Sequence, residues 1–141
     1  MATEVASVCG TLSRVELTPY GPGLGLQRLP GVAVALSTYP GLGVNSSNFV
    51  AVVTSSASGL TASGTRVPVE QLNSGTHTVT VSLVQNPATK RYTLTLSIDG
   101  GLVVQAGVTV GPTALLAFTA GTGGLTDIHV VRNAALTATG W

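Results

Sequence analysis

Acid–base chemistry in this chain would have to come from very few groups. The acids are Glu4, Glu16, Glu70, Asp99 and Asp127, and the histidines are His77 and His129. Glycosidic cleavage needs two carboxylates flanking the scissile bond, about 5–10 Å apart. No E-x-D-x-E run exists here. Asp99 reads as a turn residue, and Glu70, after Val67-Pro68-Val69, as the end of a strand. The chain is therefore read as not an enzyme. Asp127 and His129 stand two apart on one expected strand, so their side chains share a face. That spacing would suit a general base or a metal pair. The reading preferred here is a hydrogen-bonded pair at a sheet edge, or two separate partners for loop amides. His77 alternates with valines and reads as a partly buried strand histidine rather than a ligand.

Binding chemistry has more candidates. Gly121-Thr122-Gly123-Gly124 could hold an anion through its amides, but it opens no helix, so a nucleotide fingerprint does not apply. Its structural role would be a tight turn at positive φ. Tyr39, Tyr20 and Trp141 could stack on the apolar face of a sugar ring, or serve as core and cap residues. Cys9 is the lone cysteine, so no intrachain disulfide forms. It reads as a small buried hydrophobe, with a reactive thiol or an intermolecular bridge as the lesser alternative.

The charge content narrows the partners. Of 141 residues only 8% are charged, against about 25% in an ordinary globular domain. The net charge is +1, and the densest basic spot is Lys90-Arg91. Nucleic-acid binding needs clustered Lys and Arg, so no nucleic-acid partner is expected. So neutral a surface offers little colloidal repulsion. A regular assembly, a covering partner or a hydroxyl-rich surface must then manage association. Thr76, Thr78, Thr80 and Ser82 supply such hydroxyls. No apolar stretch reaches the ~20 residues of a membrane span. The start Met1-Ala2-Thr3-Glu4 lacks the basic and apolar regions of a secretory leader.

The elements that would position these residues are strands. Helix signals are nearly absent, and period-two alternation recurs. In 76–84, His77, Val79, Val81 and Leu83 form one face and Thr76, Thr78, Thr80 and Ser82 the other, which predicts a strand half-buried on one side. In 91–98, Tyr92, Leu94, Leu96 and Ile98 form the apolar face. Asn86-Pro87-Ala88-Thr89-Lys90 connects these two, and Asp99-Gly100-Gly101 predicts a primed hairpin turn into a third strand, 102–110. Further strands are expected at 12–18, 31–39, 48–54, 65–69, 114–120 and 125–132. Roughly nine strands separated by Gly/Pro turns predict a sandwich or barrel, in one domain spanning 1–141.

The order of these segments resembles the legume-type lectin, or concanavalin A-like, family. Val32-Ala33-Val34-Ala35-Leu36-Ser37-Thr38-Tyr39-Pro40 is similar to that family's V-A-V-E-(L/F)-D-T-Y strand, and Asn48-Phe49-Val50-Ala51-Val52 to its N-H-(I/V)-G-(I/V) strand. Gly75-Thr76-His77-Thr78-Val79 resembles G-x-W-H-x-V without the Trp. Ile98-Asp99-Gly100 fits the family's hairpin, and 117–129 resembles its G-F-(S/T)-A-(A/S)-T-G strand and loop together with the closing strand. The resemblance covers 22–133. It implies an all-β, antiparallel jelly-roll sandwich, shortened on its N-terminal side.

The same resemblance separates this chain from the family's metal chemistry. The family's metal-binding Glu and Asp fall on Ala35 and Ser37, its metal-binding His on Phe49, and its loop Asp near Asn45. No acid stands between Glu16 and Glu70, whereas calcium takes roughly six to eight oxygen ligands, carboxylates among them. No metal and no cofactor are therefore expected. Two readings remain. One is a lectin-like module, extracellular or surface-exposed, that binds a glycan without metal through Tyr39, Asn45, Asn48, Thr122, Gly123, Gly124 and Asp127. The other is a structural self-assembly module (a shell, filament or capsid-like subunit) with a decayed sugar site, forming homo-oligomers through uncovered sheet edges.

Overall fold

The computed structural model describes residues 4–10, 26, 30–40, 42, 47–111, 115–121 and 128–137. They form eight strands and, among the described residues, no helix: β1 (Glu4–Gly10), β2 (Gly31–Ser37), β3 (Phe49–Ser56), β4 (Gly59–Pro68), β5 (Val79–Gln85), β6 (Tyr92–Ile98), β7 (Gly101–Val108) and β8 (Leu115–Ala120). There is accordingly no helix long and apolar enough to cross a membrane among these residues. One sheet has the order β4-β3-β2-β1-β8 and the other β5-β6-β7, with every pairing antiparallel.

The two sheets share a core. Val32, Val34, Val50 and Val52 of the larger sheet are buried in one cluster with Leu94, Leu96, Val104, Ala106 and Val108 of the smaller. The opposite face of β2 and β3 is buried as well, through Ala33, Ala35, Phe49, Ala51 and Val53, with Leu26 packed on it. This explains the V-A-V-A run of β2: valines fill the space between the sheets, and alanines let a neighbouring chain segment approach the second face. Ser55 on that face donates from Oγ to the Leu26 carbonyl at 2.7 Å, which satisfies a buried hydroxyl.

The meander β5-β6-β7 follows the expected alternation. Asp99 and Gly100 both take positive φ, 50° and 81°, the signature of a type I′ turn whose twist suits the flanking strands. In the β5–β6 connection, Asn86 Oδ1 accepts from the Ala88 and Thr89 amides at 2.9 and 3.1 Å, an Asx turn that reverses the chain.

Four expectations need correction or completion. Strand β1, expected nowhere, runs through Cys9 as a central strand between β2 and β8. Central strands need not alternate, and E-V-A-S-V-C-G does not. Strand β4 begins at Gly59 rather than 65, because its pairing with β3 shifts register between Ala51 and Val53, and such a bulge erases period-two alternation. Strand β5 starts at Val79, so His77 precedes it. Its apolar face is also more open than half-buried, with Val79 and Val81 exposed. Residues 128–132 lie in no strand, and Ile128, Val130 and Val131 are exposed. The expected strand 12–18 lies outside the described residues.

Candidate functional site

An open concavity of about 630 Å³ lies where the end of β4, the approach to β5 and the β6–β7 turn meet the start of β3. Val69, Leu72, Ile98 and Val103 supply its apolar lining; Asn48, Glu70, Gln71, Ser74, His77 and Asp99 supply its polar groups.

Asn48 organises one side. It sits at φ 62°, a left-handed conformation that Asn tolerates better than most residues. From there its carbonyl accepts from the Val69 amide at 2.9 Å, and its Oδ1 accepts from the Leu72 amide, also at 2.9 Å. One residue thus ties the segment after β4 to the start of β3, and its side-chain NH₂ group meets no acceptor among the described residues.

His77 and Asp99 organise the other side. His77 Nδ1 lies 2.7 Å from Asp99 Oδ2, and Nε2 lies 3.2 Å from the Gln71 carbonyl. The second carboxylate oxygen, Oδ1, accepts from the Thr78 amide at 2.8 Å, and the Asp99 amide donates to the Thr78 carbonyl at 2.8 Å. Both ring nitrogens therefore face acceptors, an arrangement that only the doubly protonated imidazolium satisfies in full. The hydrogen bond to Asp99 raises the His77 pKa above its ordinary 6.5, with the carboxylate's charge adding to it and burial opposing it. The bond from His77, followed by that from the Thr78 amide, holds Asp99 below its ordinary 3.8.

The signs of these shifts fix a pH window. The His77 contribution is complete below pH 6.5 and is lost as pH rises through the elevated folded-state value. The Asp99 contribution is complete above pH 3.8 and is lost as pH falls through the depressed one. The latch is thus strongest between these limits. His77 is expected to titrate above 6.5 by NMR, and His77→Ala to remove the decline of melting temperature on the alkaline side of that window. A His77 titrating at or below 6.5 would refute the latch.

Ser74, His77 and Asp99 have the residue types of a nucleophilic triad but not its connections. His77 Nε2 is directed to the Gln71 carbonyl, and Ser74 Oγ donates to that same carbonyl at 3.1 Å. An activated serine would instead hydrogen-bond the free ring nitrogen.

Of the residues read from the sequence as a site, Asn48 lines the concavity and Tyr39 is exposed at the end of β2. Asn45, Thr122, Gly123, Gly124 and Asp127 lie outside the described residues. Of the positions that the lectin resemblance would assign to metal, Ser37 pairs with Phe49, and Ala35 with Ala51, on the face where Ala35 and Phe49 are buried. Ser37 Oγ turns back to the Tyr39 backbone, donating to its carbonyl at 2.9 Å. Among the described residues no three of His, Cys, Asp and Glu come together.

The His77–Asp99 pair was absent from the sequence reading, yet the hairpin contains the signal for it. With Gln85 opposite Tyr92 and Val79 opposite Ile98, one more step back along the ladder sets Thr78 beside Asp99.

These features define a class: an all-β protein of two antiparallel sheets with an open cleft of amide, hydroxyl and carboxylate groups. The comparisons carry it no further, because no family model, no curated protein and no solved structure matches the chain.

Proposed function

We propose that this chain is a non-catalytic lectin-like module, a jelly-roll of the concanavalin A-like kind, that binds a neutral glycan outside the cell or on its surface without calcium. The observation that carries the reading is the division of labour in the cleft. His77 and Asp99 are engaged with each other and the backbone, whereas among the described residues the side chains of Glu70 and Gln71 and the Asn48 NH₂ group make no hydrogen bond. A sugar offers vicinal hydroxyls that each donate and accept, and an amide beside a carboxylate complements them.

The same division supports binding over cleavage. A glycosidase keeps one carboxyl protonated as a general acid by raising its pKa. Asp99 is shifted the other way, and Glu70 is the only other carboxylate lining the cleft among the described residues. Metal independence rests on Ala35, Ser37 and Phe49, which present no carboxylate where the lectin resemblance would require one.

The test is a glycan array followed by calorimetry in EDTA. Gln71→Ala, and Asn48→Gly (which keeps the left-handed backbone), should each weaken binding about three- to tenfold, the worth of one net hydrogen bond. Absence of any glycan ligand, a requirement for calcium, or release of a cleaved sugar would overturn the proposal.

A further inference from the structure

The core between the sheets is closed on one side and open on the other. Strand β7 packs against β4 and β3, and Leu94 and Leu96 of β6 are buried with Val32 and Val34 of β2. Strand β5 therefore falls on the far side, towards β1 and β8. Among the described residues three strands face five there, a difference of about two strands at ~4.8 Å spacing.

The registers show the consequence for particular side chains. Val81 stands opposite Leu96 and shares its core-facing side, yet Val81 is 37% exposed while Leu96 is fully buried. Phe118 stands opposite Ser7, which stands opposite Val34; Phe118 is 48% exposed, Val34 only 2%. The inward faces of β5 and β8 are thus the two incompletely covered lips of the core. Among the described residues strand β5 is paired on one side alone, and its sequence V-T-V-S-L-V-Q has no charge or proline, the devices that normally prevent a free edge from pairing.

The same chain carries a segment suited to that gap. Residues 128–136 follow edge strand β8, belong to no strand, and expose Ile128, Val130, Val131 and Leu136. Both ring nitrogens of His129 are enclosed without a hydrogen-bond partner, a costly state for a polar group. His129 is therefore under-satisfied where it lies.

We infer that the open side seats a second copy of this chain, which lays its segment 128–136 along β5 as an added strand. Each copy carries both the seat and the donor, so reciprocal donation closes a two-fold dimer. Backbone ladder bonds would give the affinity, and Val130 and its neighbours would cover Val79, Val81 and Phe118. This inference does not depend on the glycan reading.

The experiment is sedimentation or light scattering of the full chain from low to high micromolar concentration. Wild type should pass from monomer to dimer. Val81→Lys, which puts a charge in the seat, and Val130→Pro, which removes a ladder donor from the segment, should each remain monomeric alone. Mixed in equal amounts they should recover a dimer, because one intact donor then meets one intact seat. A wild type that stays monomeric throughout, a Val130→Pro chain that dimerises like wild type, or a mixture that stays monomeric would each overturn the inference. The exposed segment makes Val130→Pro a test that does not endanger the fold, and glycan titration of the same variants reads the cleft separately.

Discussion

Truncating Phe49 to alanine is expected to lower folding stability by about 3–5 kcal/mol. Among the described residues Phe49 is the largest fully buried side chain, and the strand neighbours on its face are short: Ala35, Ala51 and, directly opposite on the two flanking strands, Ser37 and Pro68. Alanine, serine and the ring-locked Pro68 cannot rotate a longer side chain into the space the ring leaves, so the cavity term adds to the lost transfer free energy. Against a total stability of about 5–15 kcal/mol for a domain, the variant would stand close to its unfolding transition at room temperature. Urea denaturation would show a large fall in midpoint with little change in slope. A loss below about 1 kcal/mol, the range of a surface substitution, would mean that the second face of the larger sheet is not a true core.

That second face also marks where the sequence could and could not be read. The meander was legible because T-V-T-V-S-L and Y-T-L-T-L-S-I alternate, and because Asp99-Gly100 is a pair whose backbone freedom specifies its turn. Strands β2 and β3 were legible as apolar runs, but burial on both faces was not, since V-A-V-A looks alternating only in size. Strand β1 gave no signal: Glu4 to Gly10 mixes small residues without a period, and its place between β2 and β8 comes from long-range pairing that no local pattern encodes. The exposed face of β5 was misjudged for a related reason. Alternation says which side chains share a face, but only the number of strands opposite says whether that face is covered.

The cleft was legible in its parts more than in its assembly. Asn48 was singled out, but for a resemblance and not for the left-handed backbone that lets it bind the 69–72 segment. His77 was assigned to a strand, and Asp99 to a turn, each on local grounds. Their pairing depends on hairpin register, a two-strand property, and sequence reading treats strands one at a time.

Leu96→Ala should cost about 2–5 kcal/mol, and its partner substitution makes the result more telling. Leu96 lies between Val81 on β5 and Val104 on β7, in a row that runs from the open side of the core to its closed side. Val104 is buried and Val81 is not. Val81→Ala in the monomer should therefore cost under about 1.5 kcal/mol, since its two methyl groups, worth about 0.8 kcal/mol each when buried, are only partly removed from water. If a second copy covers β5, the two substitutions respond differently to protein concentration. The Leu96→Ala cost should hold steady across a dilution series, because its cavity lies within one chain. The Val81→Ala cost should grow as dimer forms, because binding that favours the native state adds to stability by mass action and the truncated valine weakens that binding. A Val81→Ala cost as large as that of Leu96→Ala at every concentration would place β5 under cover within the single chain, and the free edge on which strand addition depends would not exist.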